Sequence, residues 1–195
     1  RLREKQGSQP QDKLTAGRSL AMIIDFHTHV FSPGVRENRS RYAANDPCFA
    51  LLYASEKARL ITADELVENM DRAGIDVSVI LNIGWGTHEL CAETNDYILE
   101  SIARYPGRLI GFGAIQPQSP QAPAEIERCA SGGMKGIGEL RPDLLPFDLD
   151  DDDIIAPLAE ALKKHKFILL THASEPVGHS YPGKGKVTPD RLEPL

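Results

Sequence analysis

Short apolar runs and helix-patterned segments alternate along this chain, and that alternation limits its fold more than any other feature. "MIIDF", "DVSVILNIG", "RLIGFGAIQP", "MKGIGEL" and "ILLTHAS" read as five strands, starting at residues 22, 76, 108, 134 and 168. Helical patterns separate them. "TADELVENMDRAG" has Thr62 as N-cap, Glu65 three residues on and Gly74 as its stop, a capping box and a glycine C-terminus. "ELCAETNDYILESIARYPG" is stopped by Pro106 and Gly107, and "PAEIERCASGG" by glycines. "DDDIIAPLAEALKKHKF" has acids at its start and lysines near its end, matching the helix dipole. Pro157 should bend that helix or mark its true first turn. "TPDRLEPL" opens a further helix with a Thr cap. Residues 30–60, with Pro33, Gly34 and Pro47, read as a long functional loop.

An order β-α-β-α-β-α-β-α-β-α implies parallel strands joined by right-handed crossovers. An open doubly wound sheet and a (β/α)8 barrel both satisfy it. The glycine-rich dinucleotide fingerprint is missing after the first strand, where "HTHVFSPG" stands, which disfavours a nucleotide-binding open sheet. Polar residues recur at strand ends: His27 and His29, Asn82, Gln116, Glu139, His172. In a barrel these ends converge on one mouth, where active sites lie.

His27 and His29 are two apart on a strand, so both rings face one side, close enough to chelate one ion. Glu139 and His172 stand at the ends of later parallel strands and would reach the same mouth. Glu139 either contacts an ion or its water as the catalytic carboxylate, or simply pairs with Arg141. Lys135 precedes Glu139 by four residues, about 13 Å along a strand, so it belongs near the barrel bottom and is not a carboxylated ligand. His179, Tyr181 and Lys184 lie in "EPVGHSYPGKG" beyond the fifth strand, where loops set substrate choice. Trp85 in "GWGTH" would wall the pocket, and His88 would cap the next helix. His165, near a helix end, reads as solvated. The run "DLDDDD" reads as a helix start, because the glycine and ligand spacing of a calcium loop are absent.

Apolar residues make up 41% and charged residues 26% of the 195, with a net charge of −6. That is the balance of a soluble globular domain, and it argues against broad binding to nucleic acid or anionic membranes. Three scattered cysteines form no metal or disulfide framework, so a reducing, cytoplasmic setting is the simplest reading. Cys91 and Cys129 read as buried small hydrophobes. No apolar run approaches the ~18 residues of a membrane span. Residues 1–21 are polar and without an apolar period, and read as a disordered extension.

"MIIDFHTHVF" resembles the first strand of the amidohydrolase superfamily. "NDYILESIARYPGRLIGFGAIQP", "GMKGIGELRPD" and "ILLTHASEPVGHSYPGKG" follow in matching order. Together they resemble the amidohydrolase-related branch that includes aminocarboxymuconate-semialdehyde decarboxylase-like proteins. The similarity covers roughly residues 22–195. It implies a TIM-like (β/α)8 α/β barrel of which about the first five β/α units are present, and a divalent metal, Zn2+ before Mn2+ or Mg2+, held by His27, His29 and His172. Glu139 resembles the fourth-strand Glu that holds a second metal in TatD-like nucleases. The family's sixth-strand His and eighth-strand carboxylate have no counterparts here, so the chain looks like the N-terminal portion of such a barrel.

The activity implied is that of a metal-dependent hydrolase acting on a small molecule through a metal-activated water. Metal-dependent decarboxylation, a TatD-like phosphoesterase and an inactive fragment are the alternatives. Without closure, the first and fifth strands would keep open edges, which favours aggregation or homodimeric pairing.

Overall fold

A computed structural model describes residues 21–145, 147–175, 177–181, 184–189 and 192. The extension expected over 1–21, Ala21 apart, and most of the helix expected at "TPDRLEPL" lie outside the described residues. Five parallel strands form one sheet in the order β1 (Ile24–His29), β2 (Val77–Leu81), β3 (Leu109–Gly113), β4 (Gly136–Leu140) and β5 (Ile168–Thr171). The sheet curls into part of a (β/α)8 barrel, so the barrel expectation is met and the flat open sheet is not. Among the described residues β1 and β5 are the edge strands, and Phe26 and Ile168 on them are 68% and 60% exposed. No helix is long and apolar enough to cross a membrane among the described residues.

The segment expected as a long loop holds three short helices, α1 (Pro33–Glu37), α2 (Arg39–Asn45) and α3 (Pro47–Tyr53). The reason is local and was present in the sequence. Ser32 and Asp46 cap the first and third by accepting from Val35 N and Phe49 N, and each is followed by proline at the first helical position, where the missing N–H costs nothing. These helices close a second core in which Phe31, Val35, Tyr42, Cys48 and Phe49 pack with Ile83, Trp85 and Cys91.

The crossover helices are α4 (Ala63–Ala73), α5 (His88–Arg104), α6 (Ala122–Ser131) and α7 (Asp152–His165). The Thr62–Glu65 capping box forms as expected, and Gly74 ends α4 at φ 72°. At α5 the cap is Thr87, which accepts from Leu90 N; His88 is the first helical residue and not the cap. Asp151 caps α7 by accepting from Asp153 N, with Lys163, Lys164 and His165 in the last turn. Pro157 lies inside that helix, beyond its first turn. The main core lies between sheet and helices, and includes Ile80, Ile98, Ile126 and Ile137. The inner face of the sheet carries Val79, Leu81 and Phe112.

β3 packs tightly because it is small. A Cβ at Gly111 would stand 2.8 Å from Ile98 Cγ2, and one at Gly113 2.8 Å from Cys129 Sγ. All three cysteines are buried and free, and burial pushes the Cys48 thiol up to about 12. They are inert packing groups.

Candidate metal centre

His29 is the last residue of β1, and the strand's two-residue period sends His27 and His29 to one side. Their Nε2 atoms lie 2.9 Å apart. Thr28 between them turns away and donates its hydroxyl to Val79 O at 2.8 Å, a side-chain bond that helps dock β1 on β2. Glu139, one residue before the end of β4, brings Oε2 to 3.7 Å from His27 Nε2 and 3.9 Å from His29 Nε2. His172, directly after β5, brings Nδ1 to 2.8 Å from the other carboxylate oxygen, Oε1. Three strands therefore deliver four groups to one mouth.

The three donor atoms of His27, His29 and Glu139 form a triangle whose circumradius is about 2.1 Å, the length of a bond from zinc to imidazole or carboxylate. Ligands at such a distance in tetrahedral geometry stand about 3.4 Å apart, within the span of the three separations. The electrostatics agree. Burial, then the neighbouring His27, pushes His29 down to about 4, so its ring is neutral at pH 7 and offers a lone pair. Its other nitrogen, Nδ1, is buried with no hydrogen-bond partner among the described residues. Burial alone would raise Glu139, but the His172 hydrogen bond and the surrounding histidines hold it below the usual range. The donor set of two imidazoles and one carboxylate fits a divalent first-row metal.

The arrangement differs from the expected ligand set in one respect. His27, His29 and Glu139 converge on a single point, whereas His172 meets the group through Glu139. Glu139 does not pair with Arg141: that guanidinium makes a two-pronged contact with Asp143, at 3.0 and 2.7 Å, and both side chains are buried. Lys135 is exposed, just before β4 begins. His165 is bonded to Glu127 at 2.9 Å rather than free in water.

Trp85 requires correction as a pocket wall. It is 0% exposed and stacked on Phe49 at 5.4 Å, because α3 folds over it. His179, Tyr181 and Lys184 sit together in the loop after β5. The first two rings meet edge-on at 6.0 Å. Lys184 donates to Val177 O at 2.6 Å, lies 3.3 Å from Glu175 Oε1 and stands over the Tyr181 ring. Its charge is thus spent within the loop. Ser174 was missed: it lies two residues past His172, with Oγ 3.5 Å from His172 Nε2. The only hint was a small hydroxyl residue in "THAS". A cavity of about 830 Å3 opens at the other end of the strands, lined by Met22, Asp76 and Arg108 among others, and touches none of these groups.

A family model described as amidohydrolase matches residues 24–190. The chain belongs to the amidohydrolase family. Solved structures of similar fold include 5-carboxyvanillate decarboxylase from Novosphingobium aromaticivorans, complexed with manganese and 4-hydroxy-3-methoxy-5-nitrobenzoic acid, with TM-score 0.66 and 25% identity over 85% of this chain and 54% of that one. The 5-carboxyvanillate decarboxylase LigW from Sphingomonas paucimobilis has TM-score 0.59 and 24% identity, covering 80% and 52%. A probable 2-pyrone-4,6-dicarboxylic acid hydrolase from Acinetobacter baumannii has TM-score 0.54 and 18% identity, covering 79% and 50%. This amidohydrolase chain spans about half the length of these neighbours.

Proposed function

We propose that this amidohydrolase-family chain supplies the metal-holding strands of a metal-dependent hydrolase acting on a small molecule. The observation that carries the reading is the His27–His29–Glu139 triangle at the C-terminal mouth of a parallel sheet. His27 and His29 offer ring nitrogens, and Glu139 offers charge. His27, His29 and Glu139 would hold a divalent ion there, which would lower the pKa of a coordinated water toward about 7 and polarise a substrate oxygen. Glu139 and His172 share one hydrogen bond, so a proton can be held at His172 Nδ1 or on the carboxylate as charge develops nearby. Zinc is the first choice for this donor set, and manganese the second.

Decarboxylation is the second reading. Its support is the similarity to the decarboxylase that is complexed with manganese and a nitrobenzoic acid. The same ligands serve either chemistry. The partner proposed is a small organic acid or amide, with no nucleic acid and no membrane, and the setting proposed is the cytoplasm.

The test has two parts. Titration calorimetry with zinc and manganese chloride on the 195-residue chain should give one ion per chain. A substrate panel of aromatic and cyclic carboxylic acids, lactones and amides, read by carbon dioxide release and by ring opening, then separates the two chemistries. No metal uptake at pH 7 would sink both.

A further inference from the structure

We propose that Tyr53 is a specificity-determining residue: its hydroxyl donates a hydrogen bond to an oxygen of the small organic acid bound at the metal centre. The proposal rests on the metal-centre reading above.

Tyr53 is the last residue of α3, and α3 lies across the mouth of the sheet. At its N-terminal end, Asp46 accepts from Gly86 N at 2.7 Å, in the turn that follows β2. Earlier in that turn, a Cβ at Gly84 would stand 3.1 Å from Glu139 O. At its C-terminal end, the Tyr53 ring meets Phe31 edge-on at 4.9 Å and Phe49 at 5.5 Å. Phe31 stands two residues past His29, the last residue of β1. The seven residues of α3, about 10 Å of helix, thus run from the neighbourhood of Glu139 to the end of β1. The far end is tied down as well: Arg39 donates to Tyr53 O at 3.2 Å and to Ala58 O at 2.9 Å.

Five rings form this roof, and Tyr53 differs from the other four. Phe31, Tyr42, Phe49 and Trp85 are buried, and the Tyr42 hydroxyl donates to Glu93. Tyr53 is only half-buried, and its hydroxyl has no hydrogen-bond partner among the described residues. Burial pushes the phenol up to about 12, and Cys48 and Glu139 push it the same way. It is therefore a neutral donor at pH 7, close enough to Glu139 to feel its charge. A ring held by two neighbours with an unused hydroxyl at its tip suits recognition, because the apolar body fixes where the polar end stands. Arg141 is committed to Asp143, so the phenol offers the donor that an oxyanion beside a divalent ion needs. A charged acceptor gains more from such a donor than a neutral one, which favours an acid over its amide.

The experiment is calorimetry and carbon NMR on the 195-residue chain, labelled with 13C at tyrosine Cζ and loaded with zinc chloride. Wild type and Tyr53→Phe are each titrated with sodium benzoate and with benzamide, its uncharged isostere. The Tyr53 signal is the one that the variant lacks. Zinc affinity and melting temperature should be equal in the two chains, since the hydroxyl bonds no protein group among the described residues. Benzoate should shift the Tyr53 signal of the wild type and bind Tyr53→Phe about 10–100-fold more weakly, the scale of one hydrogen bond to a charged group. Benzamide should lose less. A zinc-loaded wild type that binds no benzoate, or binds it with the Tyr53 signal unmoved, overturns the proposal and leaves the metal centre standing. So does equal benzoate affinity in the two chains, or an equal loss for benzoate and benzamide. A wild type that takes up no zinc removes the metal-centre reading, and the proposal with it. The wild-type spectra decide the matter even if Tyr53→Phe does not fold.

Discussion

Glu139 serves two sides of one site: its Oε1 bonds His172 Nδ1 at 2.8 Å, while its Oε2 faces His27 and His29 at 3.7 and 3.9 Å. A single carboxylate at the end of β4 thus connects the first strand to the fifth. Losing it should remove both the negative ligand proposed for a divalent ion and the hydrogen-bond partner of His172 Nδ1.

His29→Ala and Glu139→Gln should each weaken zinc or manganese binding by more than ~100-fold, beyond the loss usual for an outer-shell partner. His165→Ala, at the end of α7 and bonded to Glu127, should leave affinity unchanged. Calorimetry on the three variants, with circular dichroism to check folding, decides this. Similar losses in all three would mean that the changes act through stability.

The buried Arg141–Asp143 pair should make the fold sensitive to acid. Burial pushes the Asp143 carboxyl up, but the two-pronged contact with Arg141 outweighs it and holds the group below its ordinary range. A depressed folded-state pKa contributes stability that is present above the unfolded value of about 3.9 and is lost as pH falls through the folded value. Urea melts at pH 7, 5 and 3 should show the wild type weakening between the last two. Asp143→Asn should melt earlier at pH 7, by about 3 kcal/mol, with a flatter pH profile. A wild-type curve as flat as that of the variant would refute the assignment.

Asn95 should be among the most sensitive polar positions. Its side chain donates to Ala114 O at 2.8 Å and to Glu125 Oε1 at 2.6 Å, and accepts from Ala114 N at 2.7 Å, all in buried surroundings. Asn95→Leu takes the side-chain partner from both Ala114 backbone groups, at about 1–3 kcal/mol each, while Glu125 Oε1 keeps its bond from Arg128 Nη2 at 2.7 Å. Hydrogen exchange at the Ala114 amide should accelerate with the loss in global stability. An unchanged melt would show that water replaces the amide without cost.

Gly111→Ala should cost about 1–3 kcal/mol by overpacking, since its Cβ would meet Ile98 Cγ2 at 2.8 Å and Ile102 Cγ2 at 3.1 Å. Gly107→Ala should be costly for a different reason. Its surroundings are open, but its φ of 76° strains any residue with a side chain. Ile98→Ala removes that Cγ2, so combining it with Gly111→Ala should recover part of the first loss in a double-mutant cycle, and combining it with Gly107→Ala none of the second, read by thermal melts. Recovery of both would mean that crowding is not the cause at Gly111.

Much of this protein is legible in short windows of its sequence. The five strands and four crossover helices follow from apolar period and capping residues within about a dozen positions, and parallel order follows from their alternation. The pairing of His27 with His29 is legible too, because a two-residue strand period is a local property. Even α1 and α3, read as loop, carried their signals in Ser32-Pro33 and Asp46-Pro47. Helices of five and seven residues are too short for a periodic pattern, and tertiary burial of Phe49 against Trp85 holds them.

The sequence alone determined that strand ends would carry His27, His29, Glu139 and His172. Only the tertiary structure decided that Glu139 joins His27 and His29 at one point, that His172 stands behind the carboxylate, and that Arg141 turns to Asp143. It also buried Trp85 and brought Ser174 against His172. The reason is physical. Strand period states which face a side chain takes, but the curl of the sheet and the stagger between β1, β4 and β5 set separations to within an ångström. At that scale a hydrogen bond, a ligand contact and no contact are different outcomes.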